Sequence, residues 1–281
     1  MSSKVGQRGI SDAEKLFVLG GVAADCRGDG RRNCDYRPCE IEFGPINAAF
    51  GSVRISSSSF EVYVGIKGSV ASASTNPFEF SISPAVTCAS HFNMEELEAF
   101  DNVAKSLEKI FNKSCKHAAN KWFAVVPDHS RWHLYIDVLF TRMDGNIHDI
   151  AALGAKLALL HTELPKLDVI ENDFGQKDFD IPNDAEVPVL KLKDCEELVN
   201  SLPTVVTVNR IGSSSVFDCD QIESLCSSCR FVLAFEKSVL SYASKAGDGC
   251  FGPKTFDDVV KHGAECAKKL DLSLNRALKS L

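Results

Sequence analysis

A stretch near the middle of the chain decides the fold: residues 133–160 read HLYIDVLFTRMDGNIHDIAALGAKLALL. Its first eight residues alternate well enough between apolar and polar side chains to predict a strand over 133–140. The triplet Asp144-Gly145-Asn146 predicts a turn, and residues 150–160 are apolar on nearly every side, as in a buried helix. Pro165 ends that helix. A strand followed by a buried helix is one half of an α+β pattern.

The segment before this stretch predicts a short helix and then an antiparallel meander. Ser11 and Glu14 have the spacing of a capping box, so a helix begins here and runs to about Val22. A turn with glycine and arginine follows over 26–38. Strands are then predicted at 40–43, 52–56 and 61–67, and another at 78–83.

An amphipathic helix is predicted between the strands at 78–83 and 133–140. Asn93 is a good N-cap residue, Glu96 stands at the third helical position, and apolar residues recur at helical spacing over 97–111. Its polar side carries Lys105, Lys109 and Lys113, and Lys116 lies just beyond it. They suit either a solvated face, with cations near the negative end of the helix dipole, or a strip that contacts phosphates. The sequence alone favours the solvated face.

The order of strands followed by a helix occurs again in the C-terminal half. Strands are predicted at 204–209, 216–218, 231–235 and 239–244, and a closing helix at about 255–279. Two such halves, about 25–165 and 189–281, predict a single α+β domain over residues 1–281. Residues 168–188 between the halves are acidic and contain two prolines, so they are predicted to form a long surface loop or, alternatively, a linker.

Composition restricts the class of protein to which the chain can belong. Of its 281 residues, 44% are hydrophobic and 25% are charged, which is enough apolar material for a sizeable core. The net charge of -7 argues against a protein that holds nucleic acid by bulk neutralisation of phosphates, while it allows a local basic patch. There is no secretory leader pattern and no apolar run of about 18 residues, so a soluble intracellular protein is expected.

No local motif in the sequence is specific for catalysis. There is no phosphate-binding glycine loop, zinc-protease helix or nucleophile elbow. The 11 cysteines at irregular spacing indicate buried, reduced thiols, and the pair Cys226 and Cys229 lacks the second ligand pair that zinc requires. Asp144, His148 and Asp149 suit either a small metal or acid–base cluster or, more simply, a turn and a helix cap. The sequence therefore predicts no metal and no cofactor.

Several short segments resemble the RNase PH family in order and spacing. In the first half they are Arg27-Gly28-Asp29-Gly30-Arg31, Tyr36-Arg37-Pro38 with Glu40, Gly51-Ser52-Val53-Arg54, and Val64-Gly65-Ile66-Lys67. The strand, turn and helix of residues 134–165 occupy the places where that family has its own, and Ile211-Gly212 extends the resemblance to nearly the whole chain. The resemblance implies an RNase PH-like fold, also classed as ribosomal protein S5 domain 2-like, with two α+β lobes and antiparallel or mixed sheets.

Within this family, residues 11–15 and 132–138 are most similar to ring subunits of the eukaryotic RNA exosome. The resemblance implies a hetero-oligomeric ring of six chains with this fold, covered by cap subunits that carry S1 and KH domains. It further implies that the ring threads single-stranded RNA and that hydrolytic exoribonucleases associate with it. The expected location is the nucleus, the nucleolus and the cytoplasm, and no membrane is expected as a partner.

The same resemblance implies that this chain is not an enzyme. Active members carry a Gly-Ser/Thr-Arg tripeptide that falls here on Asn146-Ile147-His148, and a further arginine that falls near Glu95. Their catalytic aspartate falls on Arg230, and an earlier acidic residue falls on Ser224. Phosphorolysis needs cations around a phosphate and a carboxylate near the scissile bond, so these substitutions remove both.

The expected function is therefore that of a catalytically inactive ring subunit that lines a channel for 3′–5′ RNA processing and degradation. Archaeal ring subunits that lack catalysis resemble this chain in carrying cations on the corresponding helix, which makes Lys105, Lys109, Lys113 and Lys116 the candidate RNA contacts. A few cations per subunit are compatible with a net charge of -7. Two alternatives stay open: an active phosphate-dependent 3′–5′ exoribonuclease, and an assembly scaffold without RNA contact.

Overall fold

The structure is a computed structural model that describes residues 10–86, 94–171, 177–180, 188–249 and 252–278. The first half of the chain forms a mixed sheet. Its strands are β1 (Glu40–Phe43), β2 (Gly51–Ser56), β3 (Glu61–Ser72), β4 (Phe78–Pro84), β5 (Ala124–Val126) and β6 (Ser130–Arg142). The order is β1-β2-β3-β6-β4, and β5 pairs with the start of β6. Strands β1 to β3 form the predicted antiparallel meander, whereas β4 pairs with β6 in parallel, with Phe78 beside Leu134.

The helices pack on this sheet and on the second sheet of the C-terminal half. They are α1 (Asp12–Ala23), α2 (Met94–Ser114), α3 (Lys116–Trp122), α4 (Ile147–His161), α5 (Glu196–Ser201), α6 (Gln221–Cys226) and α7 (Pro253–Leu278). The capping box predicted at the start of α1 is confirmed, because the Glu14 amide donates to Ser11 Oγ and the Ser11 amide donates to Glu14 Oε2. The predicted cap Asn93 lies outside the described residues. None of the described helices is both long and apolar enough to cross a membrane.

Helix α4 lies between the two halves of the molecule, as its nearly all-apolar sequence predicts. It packs against β2 and β3 on one side and against β11 (Thr204–Ile211) on the other. Gly154 permits the close approach to β3, because a Cβ at this position would lie 2.6 Å from Val64 Cγ2. A continuous apolar core results, in which Val64 and Leu157 belong to the same cluster as Val205.

The second sheet confirms the strands that were predicted for the C-terminal half. It contains β11 with β12 (Ser214–Phe217), β13 (Cys229–Glu236) and β14 (Val239–Ala246), in the antiparallel order β12-β11-β13-β14. Helix α7 packs on this sheet and buries Val259 and Cys266 against Leu233. In the β11–β13 register Asn209 lies opposite Arg230.

The acidic segment at 168–188 departs from the expected long loop. Strands β8 (Asp168–Glu171) and β9 (Lys177–Asp180) form an antiparallel hairpin, and β7 (Glu163–Pro165) pairs with β10 (Val189–Lys191) at its base. Strand pairing joins backbone groups, so an acidic sequence does not prevent it. The predicted long surface loop therefore does not extend over these strands.

Candidate functional site

A cleft of about 200 Å³ opens where α2, α4 and α6 meet strands β11 and β13. Four of its lining residues come from three separate parts of the sequence, namely Asn146 with His148, Ser224, and Arg230. These are four of the positions at which the sequence was expected to depart from active RNase PH enzymes. The structure thus brings them together in one cleft, although α4 and β13 lie more than sixty residues apart in the sequence.

The turn before α4 sets the shape of this cleft. Gly145 has a φ of 75°, and a Cβ there would lie 2.5 Å from the carbonyl oxygen of Cys219. The next residue, Asn146, has a φ of 52° and is the N-cap of α4, but its side chain makes no capping hydrogen bond. Because the backbone reverses so sharply, the first turn of α4 faces the cleft with His148 on its lining.

The charge in this cleft is positive. No aspartate or glutamate lines it among the described residues, and Arg230 is its only residue with a permanent charge. Burial and the nearby positive charge of Arg230 lower the pKa of His148 to about 4, so the imidazole is neutral at pH 7. Although Arg230 is exposed as a whole, the surrounding walls partly desolvate its guanidinium and lower its pKa, which still leaves it protonated.

A buried carboxylate, Asp218, holds the turn at Gly145 in place from behind. Its Oδ1 accepts from Arg37 Nη2 at 2.7 Å and from Asn146 Nδ2 at 2.7 Å, and its Oδ2 accepts from Arg31 Nη1 at 2.9 Å. Burial opposes ionisation of Asp218, but the hydrogen bonds and charge of Arg37 outweigh it and lower the pKa of this carboxyl group. Asp218 therefore joins the N-terminal segment, the α4 turn and the second sheet as a permanent anion.

A second buried ion pair fastens the same N-terminal segment to α6. Arg27 Nε donates to Glu223 Oε1 at 2.7 Å, and Arg27 Nη2 also donates to Glu223 Oε2. The same guanidinium donates to the carbonyl oxygens of Phe217 and Asp218. In the sequence, Arg27, Arg31 and Arg37 are visible only as residues that carry the resemblance. Their structural role was not predicted, because their partners lie about 180 to 196 residues away.

Asp144, His148 and Asp149 do not form a cluster. The Oδ1 atom of Asp144 accepts from the Gln221 amide at 3.1 Å, at the start of α6, while His148 lines the cleft. Asp149 is turned to the interior, where Tyr36 Oη donates to its Oδ2 at 3.0 Å and burial raises its pKa to about 6. This arrangement favours the turn and cap interpretation.

The described residues contain no group of three His, Cys, Asp or Glu side chains that could hold a metal ion. Cys226 ends α6 and Cys229 begins β13, and both are buried free thiols. Burial raises the pKa of Cys226, which keeps that thiol protonated and unreactive at pH 7.

The four candidate RNA-binding lysines lie outside the lining of the cleft. Lys105, Lys109 and Lys113 are exposed along α2 at intervals of four residues, so they share one side of the helix. Lys113 Nζ donates to the carbonyl oxygen of Ser241 in β14 at 2.9 Å. Lys116 is also exposed, but it begins the separate helix α3. Three of the four lysines thus lie on α2, which also lines the cleft, and the RNA contact stays a prediction.

The chain is similar in sequence to a known family and to curated proteins. Residues 35–165 match the family model described as "3' exoribonuclease family, domain 1", RNase PH. The chain is 24% identical to the Dictyostelium discoideum protein named "Putative exosome complex exonuclease RRP42", over 97% of this chain and 98% of that protein. It is 23% identical to the exosome complex component Rrp42 of Methanocella arvoryzae, over 93% of this chain and 95% of that protein.

The solved structures show the fold. A chain of the Archaeoglobus fulgidus exosome with RNA bound to the active site superposes with a TM-score of 0.71 at 21% identity, over 94% of this chain and 98% of that chain. A chain of an archaeal exosome core superposes with a TM-score of 0.66 at 20% identity, over 92% and 95% of the two chains. The expected two-lobed α+β architecture with antiparallel and mixed sheets is confirmed.

Proposed function

The chain has the RNase PH-like fold, and we propose that it is a catalytically inactive ring subunit of an RNA exosome, the counterpart of eukaryotic exosome component seven. Its similarity to RRP42-type exosome proteins over nearly the full length of both chains supports the place in the ring. The observation that carries the inactivity is the charge of the cleft, where Arg230 stands and no carboxylate lines the walls in the part of the chain that the structure describes.

Phosphorolysis makes specific demands that this cleft does not meet. Inorganic phosphate must be held by several cations and hydrogen-bond donors while it attacks the terminal phosphodiester, and a carboxylate must hold a metal or move a proton near the leaving oxygen. Among the described residues that line the cleft, Arg230 is the single charged side chain, and His148 is neutral because its pKa is about 4. The alternative of an active exoribonuclease therefore lacks its chemical groups.

The function that is left to such a subunit is to build the ring and to guide RNA. The exposed lysines of α2 would line part of the channel for single-stranded RNA, because a few cations and aromatic groups per subunit suffice for a shared groove. Neighbouring RNase PH-like chains, cap subunits with S1 and KH domains, and hydrolytic exoribonucleases would be the partners. Such a subunit would work in the nucleus, the nucleolus and the cytoplasm.

Native mass spectrometry of the complex isolated through a tag on this chain tests the place in the ring. We expect one large assembly that contains several different RNase PH-like chains. A lone monomer or a homohexamer would contradict the proposal and return the active enzyme to consideration. Phosphate-dependent release of nucleoside diphosphates from RNA by the purified chain would contradict the inactivity directly.

Ultraviolet crosslinking of RNA to the assembled complex tests the channel-lining role. The double charge reversal Lys109→Glu plus Lys113→Glu should reduce crosslinking to this chain, since both lysines are exposed on one side of α2. The matched control is Lys268→Glu plus Lys269→Glu, which makes the same change of charge at two exposed positions of α7. Full crosslinking in the α2 variant would favour the alternative of a scaffold without RNA contact.

A further inference from the structure

The hairpin turn between β2 and β3 carries a run of serines, Ser56 to Ser59. The turn is short, because the Ser57 amide donates to the Phe60 carbonyl oxygen at 2.8 Å. Ser58 at its tip is exposed, and its hydroxyl group makes no hydrogen bond within the described residues. A polar hairpin tip at the surface is accessible to other proteins. The fold therefore leaves the Ser58 hydroxyl group available for reaction.

The hydroxyl groups on either side of Ser58 are already engaged. Ser57 Oγ donates to the carbonyl oxygen of Pro38 at 2.8 Å. Ser59 Oγ accepts from Arg37 Nη1 at 3.1 Å. Both serines are half-buried, whereas Ser58 is exposed. Of the three serines in the turn, Ser58 is thus the one that can react without breaking a hydrogen bond of the fold.

Arg142, the last residue of β6, places its guanidinium group on the same turn. Its Nη2 donates to the Ser57 carbonyl oxygen at 3.1 Å, and its Nη1 donates to the Ser58 carbonyl oxygen at 3.4 Å. Among the residues that the structure describes, this guanidinium forms no ion pair with a carboxylate within 4.0 Å. A planar guanidinium can contact a phosphate through two parallel hydrogen bonds, so Arg142 is suited to bind one at the tip of the turn.

The other arginines at this hairpin have anions of their own. Arg54 Nη2 contacts Glu61 Oε1 at 2.5 Å, and Arg37 is bound to the buried carboxylate behind the cleft. Hydrogen bonds from Thr141 and Arg54 lower the pKa of Glu61, and the charge of Arg142 adds to this effect. The Glu61 carboxylate is near Arg142 but is already bound. Arg142 is therefore the arginine of this hairpin that lacks an anionic partner among the described residues.

We propose that Ser58 is a phosphorylation site and that Arg142 binds the phosphate. An ATP-dependent serine kinase supplies the phosphoryl group. Ser58 Oγ attacks the γ-phosphorus of ATP, the bond between that phosphorus and the bridging oxygen breaks, and ADP leaves, while the hydroxyl proton passes to a base of the kinase. The product has three acceptor oxygens and a charge of about −1.5 to −2 at pH 7, so it gives Arg142 the anion that it lacks.

A phosphate on Ser58 joins the β2–β3 turn to the end of β6. Arg142 lies two residues before Asp144, where the turn into α4 begins. The phosphate thus adds a charge-assisted contact next to the segment that shapes the cleft. The modified serine lies outside the cleft lining, and the proposal holds whether or not the chain is a ring subunit.

Phosphorus NMR of the full chain tests the contact with Arg142. In Ser58→phosphoserine we expect the second pKa of the phosphate to lie at least about 0.5 below its usual value of about 6, because a nearby cation favours the dianion. Adding Arg142→Gln should return this pKa to about 6. The matched control is Ser83→phosphoserine, at an exposed serine of β4 beside Leu139, whose phosphate should not respond to Arg142→Gln. Equal pKa values at positions 58 and 83 would show that Arg142 does not bind the phosphate and would overturn the proposal.

Mass spectrometry of the chain isolated from its own cells, with phosphatase inhibitors present, tests whether the modification occurs. We expect one phosphate at Ser58 on the tryptic peptide 55–67 and its loss after phosphatase treatment. Ser58→Ala should abolish this phosphate, and Ser83→Ala should leave it unchanged. Full recovery of the peptide without phosphate, or phosphate on Ser57 or Ser59 alone, would contradict the assignment. Native mass spectrometry detects the ring whether or not Ser58 is modified, so the two proposals fail separately.

Discussion

Removal of the negative charge at Asp218 should destabilise the chain more than any other single loss of charge around the cleft. The carboxylate is 3% exposed and accepts hydrogen bonds from Arg31, Arg37 and Asn146. In Asp218→Asn the guanidinium groups of Arg31 and Arg37, whose side chains are 12% and 7% exposed, lose the anion that they share. Breaking a buried ion pair by removing one partner costs about 3 to 5 kcal/mol.

This loss is large for a domain whose total stability is about 5 to 15 kcal/mol. Urea unfolding of the full chain, followed by circular dichroism, measures it directly. With a slope of about 3 kcal/mol per molar urea, the midpoint should fall by at least about 1 M. The slope itself should stay the same, because the buried surface of the folded state is unchanged.

Asp29→Asn provides the matched control for this prediction. Asp29 also pairs with Arg31, at 2.6 Å, but its side chain is 45% exposed. An exposed pair contributes less than about 1 kcal/mol, so the midpoint should hardly move. If Asp218→Asn cost no more than Asp29→Asn, the buried network would not be what joins the N-terminal segment to the second sheet, and the reasoning would be refuted.

Two further predictions concern the turn before α4 and the pH dependence of stability. Gly145→Ala should lower the free energy of unfolding in urea by at least about 2 kcal/mol, because its φ is 75° and the new Cβ meets the Cys219 carbonyl. The control Gly30→Ala has a φ of 84° but open space around the new Cβ, so it should lower this free energy by only about 1 kcal/mol. His148, whose pKa falls from 6.5 to about 4 on folding, makes the chain lose stability as the pH drops through that range; Asp149, whose pKa rises from 3.8 to about 6, has the opposite effect. Asp149→Asn leaves only the effect of His148, so the folded state of this variant should lose up to about 3 kcal/mol of stability between pH 6.5 and pH 4. His148→Gln leaves only the effect of Asp149, so this variant should be more stable at pH 4 than at pH 6. Equal pH profiles of stability for the two variants would contradict this assignment.

The elements that sequence analysis predicted are those whose own residues carry a period. Strand β6 alternates, α2 repeats its apolar residues at helical spacing, and α4 is apolar on nearly all sides, so each pattern is visible within 8 to 21 residues. The parallel insertion of β4 beside β6 and the pairing of β7 with β10 depend on segments that meet only in the fold. No local pattern predicts such pairings. The acidic residues of 168–180 favoured a loop, so the short hairpin there was not predicted.

The candidate site was predictable only in part for the same reason. Asn146, His148, Ser224 and Arg230 were identified through resemblance, and the structure places all four on one cleft. Asn209 was missed because its place in the cleft follows from the β11–β13 register, which pairs it with Arg230. A sequence signal exists only in retrospect, as an asparagine in a strand that is otherwise rich in valine and threonine.

The arginines that carry the resemblance stabilise the fold, whereas the residues at the expected catalytic positions line the cleft. Arg27, Arg31 and Arg37 come from the recognisable segments, and each binds a buried carboxylate that joins distant parts of the chain. His148 and Arg230, in contrast, make no side-chain hydrogen bond within the described residues. Substitutions of His148 or Arg230 therefore cost the fold little, while substitutions in the network behind the cleft expose buried charges. The segments that carry the resemblance therefore indicate the fold, and only the residues of the cleft bear on whether the chain catalyses phosphorolysis.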